Sequence, residues 1–260
     1  MLLLDTGSDF HVRLDARGAR RLRAWVSAEA DPLESVDVLG TSRCFPGILG
    51  ELRVGPVQLQ PAVVVVGADD ARVPPTLGEG FIDRYLRGVV IDRRAGSCSV
   101  LFKTTSDSVT PEVPEGWVGI PWERSFVAGE SESSGERRSV MRTIPVRVGD
   151  REYRAVLDTG SPAGVFSFVD LPVDGPAFEE SIWAAGRRGR AVTRTLAEPL
   201  HVGPLTLGGV LVTRAAAPDG AERSLDLVIG LATLGDVPVW FDPGANEVRL
   251  WMEHGPARLP

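Results

Sequence analysis

The sequence has few residues of the kinds that hold metals or cross-link small proteins. It contains two cysteines, Cys44 and Cys98, and three histidines, His11, His201 and His254. Two cysteines are too few for a disulfide framework, and neither residue type shows the short spacing of a metal site. We therefore expect reduced thiols, no bound metal and no cofactor.

Long apolar runs and basic segments are also missing. No stretch approaches the roughly 18 apolar residues of a membrane-spanning helix, and residues 1–5 lack the pattern of a secretion signal. The net charge is -7, and no basic stripe with interleaved aromatic residues could follow a phosphate backbone. These absences argue against membrane and nucleic-acid partners. They predict a cytoplasmic protein, unless a signal segment lies upstream of Met1.

The most informative feature that is present is an internal repeat. Residues 3–8 read Leu-Leu-Asp-Thr-Gly-Ser, and residues 156–161 read Val-Leu-Asp-Thr-Gly-Ser, at an offset of 153 residues. Residues 52–57 match residues 200–205 around a shared Val-Gly-Pro at an offset of 148, and a third match near the end of each half has an offset of 150. Three collinear matches with nearly equal offsets indicate a duplication.

The repeat divides the chain into two halves and a linker. The N-terminal half covers residues 1–102, the linker residues 103–139, and the C-terminal half residues 140–254. The chain has 260 residues, of which 43% are hydrophobic, so each half can form a domain of about 100 residues with its own core. The linker is rich in proline, serine and glutamate, but residues 117–122 are apolar, so we expect that part to dock.

The local patterns favour short strands. β-branched runs at residues 61–66, 89–91 and 210–212 predict strands, and residues 144–157 predict a hairpin that turns at Gly149-Asp150. Short helices are predicted at residues 15–28 and 82–86. The expected fold is mainly β, with many short strands closed or packed into small barrels.

Each half contains one Asp-Thr-Gly-Ser loop after an apolar strand. Asp5 and Asp158 are the candidate catalytic residues; their loops contain Thr6, Gly7, Ser8, Thr159, Gly160 and Ser161. The threonine hydroxyl can hold the turn, and the glycine allows a tight backbone that brings amide N–H groups near the carboxylate. Hydrolysis of an amide needs a base and an acid, and two facing carboxylates supply both because they share one proton.

These loops resemble the Asp-Thr-Gly loops of the retropepsin-like aspartic peptidases, in which each of two lobes contributes one aspartate. The resemblance covers both halves and implies two retropepsin-like acid-protease β-barrel lobes arranged as a pseudo-dimer. It also implies a strand of two apolar residues and a glycine beside each loop, similar to Val228-Ile229-Gly230. The hairpin flaps of the family, which bind substrate, are similar to the segments containing Gly40 and Thr41, and Ala185 and Gly186.

The N-terminal half departs from this family pattern at two places. The position aligned with Val228-Ile229-Gly230 reads Gly78-Glu79-Gly80, although a shift to Thr76-Leu77-Gly78 partly restores the pattern. Glu79 then either points to solvent or perturbs the site. The half also lacks the strand that precedes the loop; we expect residues 118–122 to fill that edge, or the natural chain to start further upstream.

The resulting prediction is an aspartic endopeptidase in which a water activated between Asp5 and Asp158 hydrolyses peptide bonds of a peptide or protein substrate. The expected form is a monomer with an intramolecular pseudo-dimer. One alternative is a peptidase active only as an intermolecular homodimer. A second is a non-catalytic, degenerate pair of lobes that binds extended peptides, which Glu79 and the missing first strand of the N-terminal half favour.

Overall fold

The computed structural model describes residues 3–8, 10–27, 29–37, 40–67, 75–103, 112–129, 137–161, 164–184, 187–215, 225–254 and 257. The fold is mainly β, as the sequence predicted. Among these residues no sheet closes into a barrel, because the first and last strands of each sheet do not pair with each other. The expectation of closed barrels is therefore wrong for this part of the chain. No helix in the described ranges is long and apolar enough to cross a membrane.

The described part of the N-terminal half contains short strands and two short helices. The strands are β1 (Leu3–Leu4), β2 (Val12–Leu14), β3 (Trp25–Val26), β4 (Leu33–Asp37), β5 (Gly40–Leu49), β6 (Leu52–Val54), β7 (Val57–Leu59), β8 (Ala62–Gly67), β9 (Thr76–Leu77), β10 (Leu86–Asp92) and β11 (Ser97–Phe102). The helices are α1 (Ala16–Arg21) and α2 (Glu79–Tyr85).

The described parts of the linker and of the C-terminal half also consist mainly of strands. Their strands are β12 (Trp117–Pro121), β13 (Glu123–Gly129), β14 (Arg137–Val148), β15 (Arg151–Asp158), β16 (Val165–Ser167), β17 (Val173–Ala184), β18 (Arg187–Leu196), β19 (Leu200–Val202), β20 (Leu205–Leu207), β21 (Leu211–Arg214), β22 (Leu227–Gly230), β23 (Val239–Asp242) and β24 (Glu247–Trp251). A 3-10 helix covers Leu231–Leu234. The predicted hairpin is present as β14 and β15, and Gly149 in its turn has a φ of 57°.

The two halves repeat the same order of strand pairings. In the N-terminal half β1 is parallel to β9, β9 is antiparallel to β2, β2 is parallel to β8, and β8 is antiparallel to β5. In the C-terminal half the strands β15, β22, β16, β21 and β18 pair in the same order and with the same directions. The internal repeat of the sequence is therefore also a repeat of strand pairing.

A five-stranded sheet joins the halves in the order β11-β10-β23-β24-β12. At its centre β10 pairs antiparallel with β23, and the partners are Val89–Phe241, Val90–Trp240 and Ile91–Val239. Residues 89–91 are equivalent to residues 239–241 at the offset of 150. The pairing is therefore twofold symmetric about Val90 and Trp240.

The apolar part of the linker docks on this sheet. Strand β12 pairs with β24, and the Trp117 ring lies 5.4 Å from the Trp251 ring and 5.7 Å from the Trp240 ring. The position of this segment differs from the one that the sequence led us to expect. Residues 118–122 were expected to fill an edge of the N-terminal half, whereas they cover β24 of the C-terminal half, because its tryptophans offer a buried apolar surface.

The first predicted helix is shorter than the sequence pattern indicated. Helix α1 has six residues, and the Asp15 side chain caps it by accepting a hydrogen bond from the Gly18 N–H. The chain then turns at Arg23, which has a φ of 55°, and Trp25 pairs with β5 as part of β3. Pairing with a sheet replaced the helix that local propensity favoured over residues 22–28.

Candidate active site

Both Asp-Thr-Gly loops follow strands that are held in place by a parallel neighbour. Asp5 follows β1, and its N–H donates to the Leu77 carbonyl oxygen at 2.9 Å. Asp158 ends β15 and is the register partner of Gly230 in β22. The strand beside the first loop is Thr76–Leu77, so the shifted register Thr76-Leu77-Gly78 is the correct equivalent of residues 228–230.

The two loops contact each other through reciprocal threonine hydrogen bonds. The Thr6 N–H donates to Thr159 Oγ1 at 3.0 Å, and the Thr159 N–H donates to Thr6 Oγ1 at 3.1 Å. The Thr6 hydroxyl donates to the Leu157 carbonyl oxygen at 2.5 Å, and the Thr159 hydroxyl donates to the Leu4 carbonyl oxygen at 2.6 Å. Each hydroxyl both accepts and donates across the two halves, so each loop fixes the position of the other.

The same contact brings the two carboxyl groups together. Asp5 and Asp158 form a side-chain hydrogen bond with each other. The Gly7 N–H donates to Asp5 Oδ1 at 3.0 Å, and the Gly160 N–H donates to Asp158 Oδ1 at 2.7 Å. A Cβ atom on Gly7 would lie 2.7 Å from Asp158 Cγ, and one on Gly160 would lie 2.7 Å from Asp5 Cγ. Only glycine allows this close approach of each loop to the opposite carboxyl group.

The two carboxyl groups differ in their affinity for a proton. Burial raises the pKa of Asp158 well above its usual value, and the neighbouring Asp5 charge and the hydrogen bond with Asp5 raise it further. Burial also raises the pKa of Asp5, but hydrogen bonds from Asp158 and from the Gly7 N–H oppose this. The two carboxyl groups therefore titrate as a pair that shares one proton, and burial favours that proton on Asp158. Both residues remain partly exposed, which leaves access to the pair.

The two serines of the loops contact neighbouring groups through their backbone atoms. The Ser8 N–H donates to the Asp5 carbonyl oxygen at 3.3 Å, and the Ser8 carbonyl oxygen accepts from the Glu79 N–H at 2.7 Å. The Ser161 N–H donates to the Asp158 carboxylate. All eight candidate residues of the two loops are thus close to one another, whichever roles they perform.

Two of the four predicted flap residues lie on a described hairpin. Gly40 and Thr41 begin β5 and pair with Asp37 and Val36 of β4. In the C-terminal half, β17 and β18 form the corresponding hairpin, but Ala185 and Gly186 lie outside the described residues. The side chains of residues 34–42 and 183–188 also lie outside the description, so the flap assignment stays a prediction.

Glu79 neither points to solvent nor enters the pair. It is buried at the start of α2, and its Oε1 lies 3.5 Å from Arg142 Nε of β14. Arg142 also pairs with Asp83, one turn further along α2, and lies 4.3 Å above the Trp122 ring. No sequence pattern singled out Arg142. The sequence signal for such a residue is the pair Glu79 and Asp83, two acidic residues four apart on a short helix, because a nearby cation offsets their repulsion.

Neither protein-family models nor curated protein sequences match the chain. Among the described residues, no group of three or more His, Cys, Asp and Glu side chains is close enough together to hold a metal ion. A functional assignment therefore depends on the geometry of the two loops.

Proposed function

We propose that this protein is an aspartic endopeptidase of the retropepsin-like type, with Asp5 and Asp158 as its catalytic pair. In this proposal the two halves are the two lobes of an intramolecular pseudo-dimer. The observation that carries the proposal is the reciprocal contact of the two loops, in which Thr6 and Thr159 exchange hydrogen bonds and each glycine faces the opposite carboxyl group. The twofold symmetric pairing of β10 with β23 supports the same relation between the halves.

The difference in pKa assigns a role to each aspartate. Asp5, ionised, accepts a proton from a water molecule whose oxygen attacks the carbonyl carbon of the scissile peptide bond. Asp158, protonated, donates to the carbonyl oxygen as negative charge develops there. When the tetrahedral intermediate collapses, the carbon–nitrogen bond breaks and the departing nitrogen receives a proton from the pair. An extended peptide would lie between the pair and the two hairpins β4–β5 and β17–β18.

The test is cleavage of a denatured protein or a peptide library by the purified chain, with inhibition by a statine-type compound. Asp5→Asn and Asp158→Asn are each expected to reduce cleavage by about 1,000-fold or more, because one aspartate cannot supply both the base and the acid. The matched control is Asp150→Asn, which changes an exposed aspartate in the β14–β15 turn. Full activity in the Asp5→Asn protein would exclude the intramolecular pair.

A protein that binds extended peptides without cutting them is the second candidate function. It differs from the first in one result, because the unmodified chain would bind a peptide library and leave it intact from acidic to neutral pH. Glu79 no longer favours this candidate. Its carboxylate faces Arg142 rather than the pair of aspartates.

A further inference from the structure

Among the described residues, two strand edges of the N-terminal half lack neighbours that their equivalents in the C-terminal half possess. The first edge belongs to β11. At the offset of 150 it corresponds to β24, and both strands pair in the same register with β10 and β23. Strand β24 has a second neighbour, β12, on its outer edge, whereas β11 is the last described strand of the sheet.

Side-chain burial follows this difference. Val100 of β11 is 39% exposed, whereas the equivalent Leu250 of β24 is 0% exposed. Cys98 is exposed, whereas the equivalent Val248 is buried. The apolar side chains of β24 are covered when β12 pairs with it, and those of β11 remain partly open to solvent.

The second edge belongs to β6. At the offset of 148 it corresponds to β19, which pairs with β20 on one side and with β14 on the other. In the described part of the chain, β6 pairs with β7 alone. Leu200 and Val202 of β19 are each 0% exposed, whereas Leu52 and Val54 of β6 are only half-buried.

A single stretch of polypeptide covers both edges in the C-terminal half. It runs from β12 on β24 to β14 on β19, and the residues of β14 alternate strictly there: Ile144, Val146 and Val148 are buried, whereas Pro145 and Arg147 are exposed. In the N-terminal half, Phe102 fills part of the corresponding space. Its ring lies over Gly55 in the β6–β7 turn, where Ile120 of β12 lies over Gly203 in the other half. The phenylalanine ring fills space, but a side chain provides no backbone N–H or C=O groups that could pair with the edge of β6 or β11.

We propose that β6 and β11 together form an acceptor site for an additional polypeptide segment with the strand pattern of residues 117–148. The segment adds one strand to the outer edge of β11 and another to β6, and it places branched apolar side chains at alternate positions over Leu52, Val54 and Val100. Main-chain hydrogen bonds provide affinity, and the alternation provides the register. The open edges and the matched half define the occupant, and the proposal does not depend on peptidase activity.

The test is a fusion in which a copy of residues 112–154 replaces Met1 ahead of Leu2, since Leu2 is equivalent to Ala155 at the offset of 153. The matched control fusion carries Val146→Asp and Val148→Asp in the added copy only. Amide hydrogen exchange at residues 52–54 and 97–102 is expected to be at least about tenfold slower in the fusion than in the control. A second measurement adds a synthetic peptide of residues 112–154, or its scrambled version, to the unmodified chain and follows the same amides.

Slower exchange at both edges in either experiment supports the acceptor site. Equal exchange with the matched and control segments in both experiments would overturn it. Protection of both edges in the unmodified chain that increases with protein concentration, together with a dimeric mass, would also overturn it, because a second copy would then be the occupant.

Discussion

Each of the two loop glycines lies against the carboxyl group of the opposite half. Because a Cβ atom on Gly7 would lie within 3 Å of three atoms of the Asp158 carboxyl group, Gly7→Ala must push the two loops apart. We expect this substitution to reduce peptide cleavage by about 100-fold or more, since catalytic groups displaced by about 1 Å lose that much activity. The measurement is kcat/KM on a cleaved peptide.

Gly50→Ala is the control for this prediction, because a Cβ atom at Gly50 would have no neighbour within 4 Å. It should leave both cleavage and stability almost unchanged. If Gly7→Ala were as active as Gly50→Ala, the two loops could not be in the contact that brings their carboxyl groups together.

The raised pKa of Asp158 predicts a pH-dependent effect on stability. An acid whose pKa is raised on folding favours the protonated folded state, so the chain loses stability as pH rises from the usual value of 3.8 through the raised pKa. Each pKa unit of elevation corresponds to about 1.4 kcal/mol. Asp158→Asn is neutral at every pH, so its stability relative to the unmodified chain should increase as pH rises from about 4 through the raised pKa of Asp158.

Urea unfolding at a series of pH values measures this difference in the free energy of unfolding. Asp150→Asn, at an exposed position, should show almost no change across the same range. A difference between Asp158→Asn and the unmodified chain that stays constant with pH would mean that Asp158 is not the residue that holds the shared proton.

Helix α2 is attached to β14 by ionic contacts that the strand pairings do not include. Arg142 is buried between Glu79 and Asp83, and its guanidinium group lies over Trp122 of the linker. Because α2 directly follows the strand beside the first loop, this cluster connects the linker to the support of Asp5. A buried cation is favourable only while its partners are present, and the same is true of the buried carboxylate.

Removing Arg142 should therefore destabilise the fold strongly. We expect Arg142→Ala to lower the free energy of unfolding by roughly 2–4 kcal/mol, less than for a fully buried pair because Asp83 is partly exposed. Arg147→Ala is the matched control, since Arg147 is exposed on the same strand. Chemical denaturation measures both variants, and equal stability would show that the cluster contributes little.

The whole molecule contains both Asp-Thr-Gly loops, and they are already in contact with each other. In the proposed function the pair is intramolecular, so that a second chain is not needed to complete it. We expect cleavage per molecule to stay constant on dilution from micromolar to nanomolar protein, and light scattering to give the mass of one chain, 27.9 kDa, in the active fraction. Activity that falls with the square of the concentration would instead indicate an intermolecular pair.

Short-range sequence preferences determine much of the secondary structure and of the candidate site. The duplicated loops, the Gly149 turn and the β-branched runs depend on short-range backbone and side-chain preferences, so the strands and the candidate aspartates could be predicted. The nearly equal offsets also predicted the repeat, which the structure shows as a common order of strand pairings. The extent of the first helix was wrong because residues 25–26 pair with a strand more than 20 residues away, which no local preference records.

Long-range packing decided the remainder. Three contacts join residues that are far apart in the chain: β12 pairs with β24, Glu79 forms an ion pair with Arg142, and β10 pairs with β23 about a twofold axis. Pattern and spacing indicate which side chains prefer to be buried, but not which distant surface buries them. For the same reason the sequence named both aspartates, whereas the contact between their loops and the unequal pKa values followed from the folded arrangement.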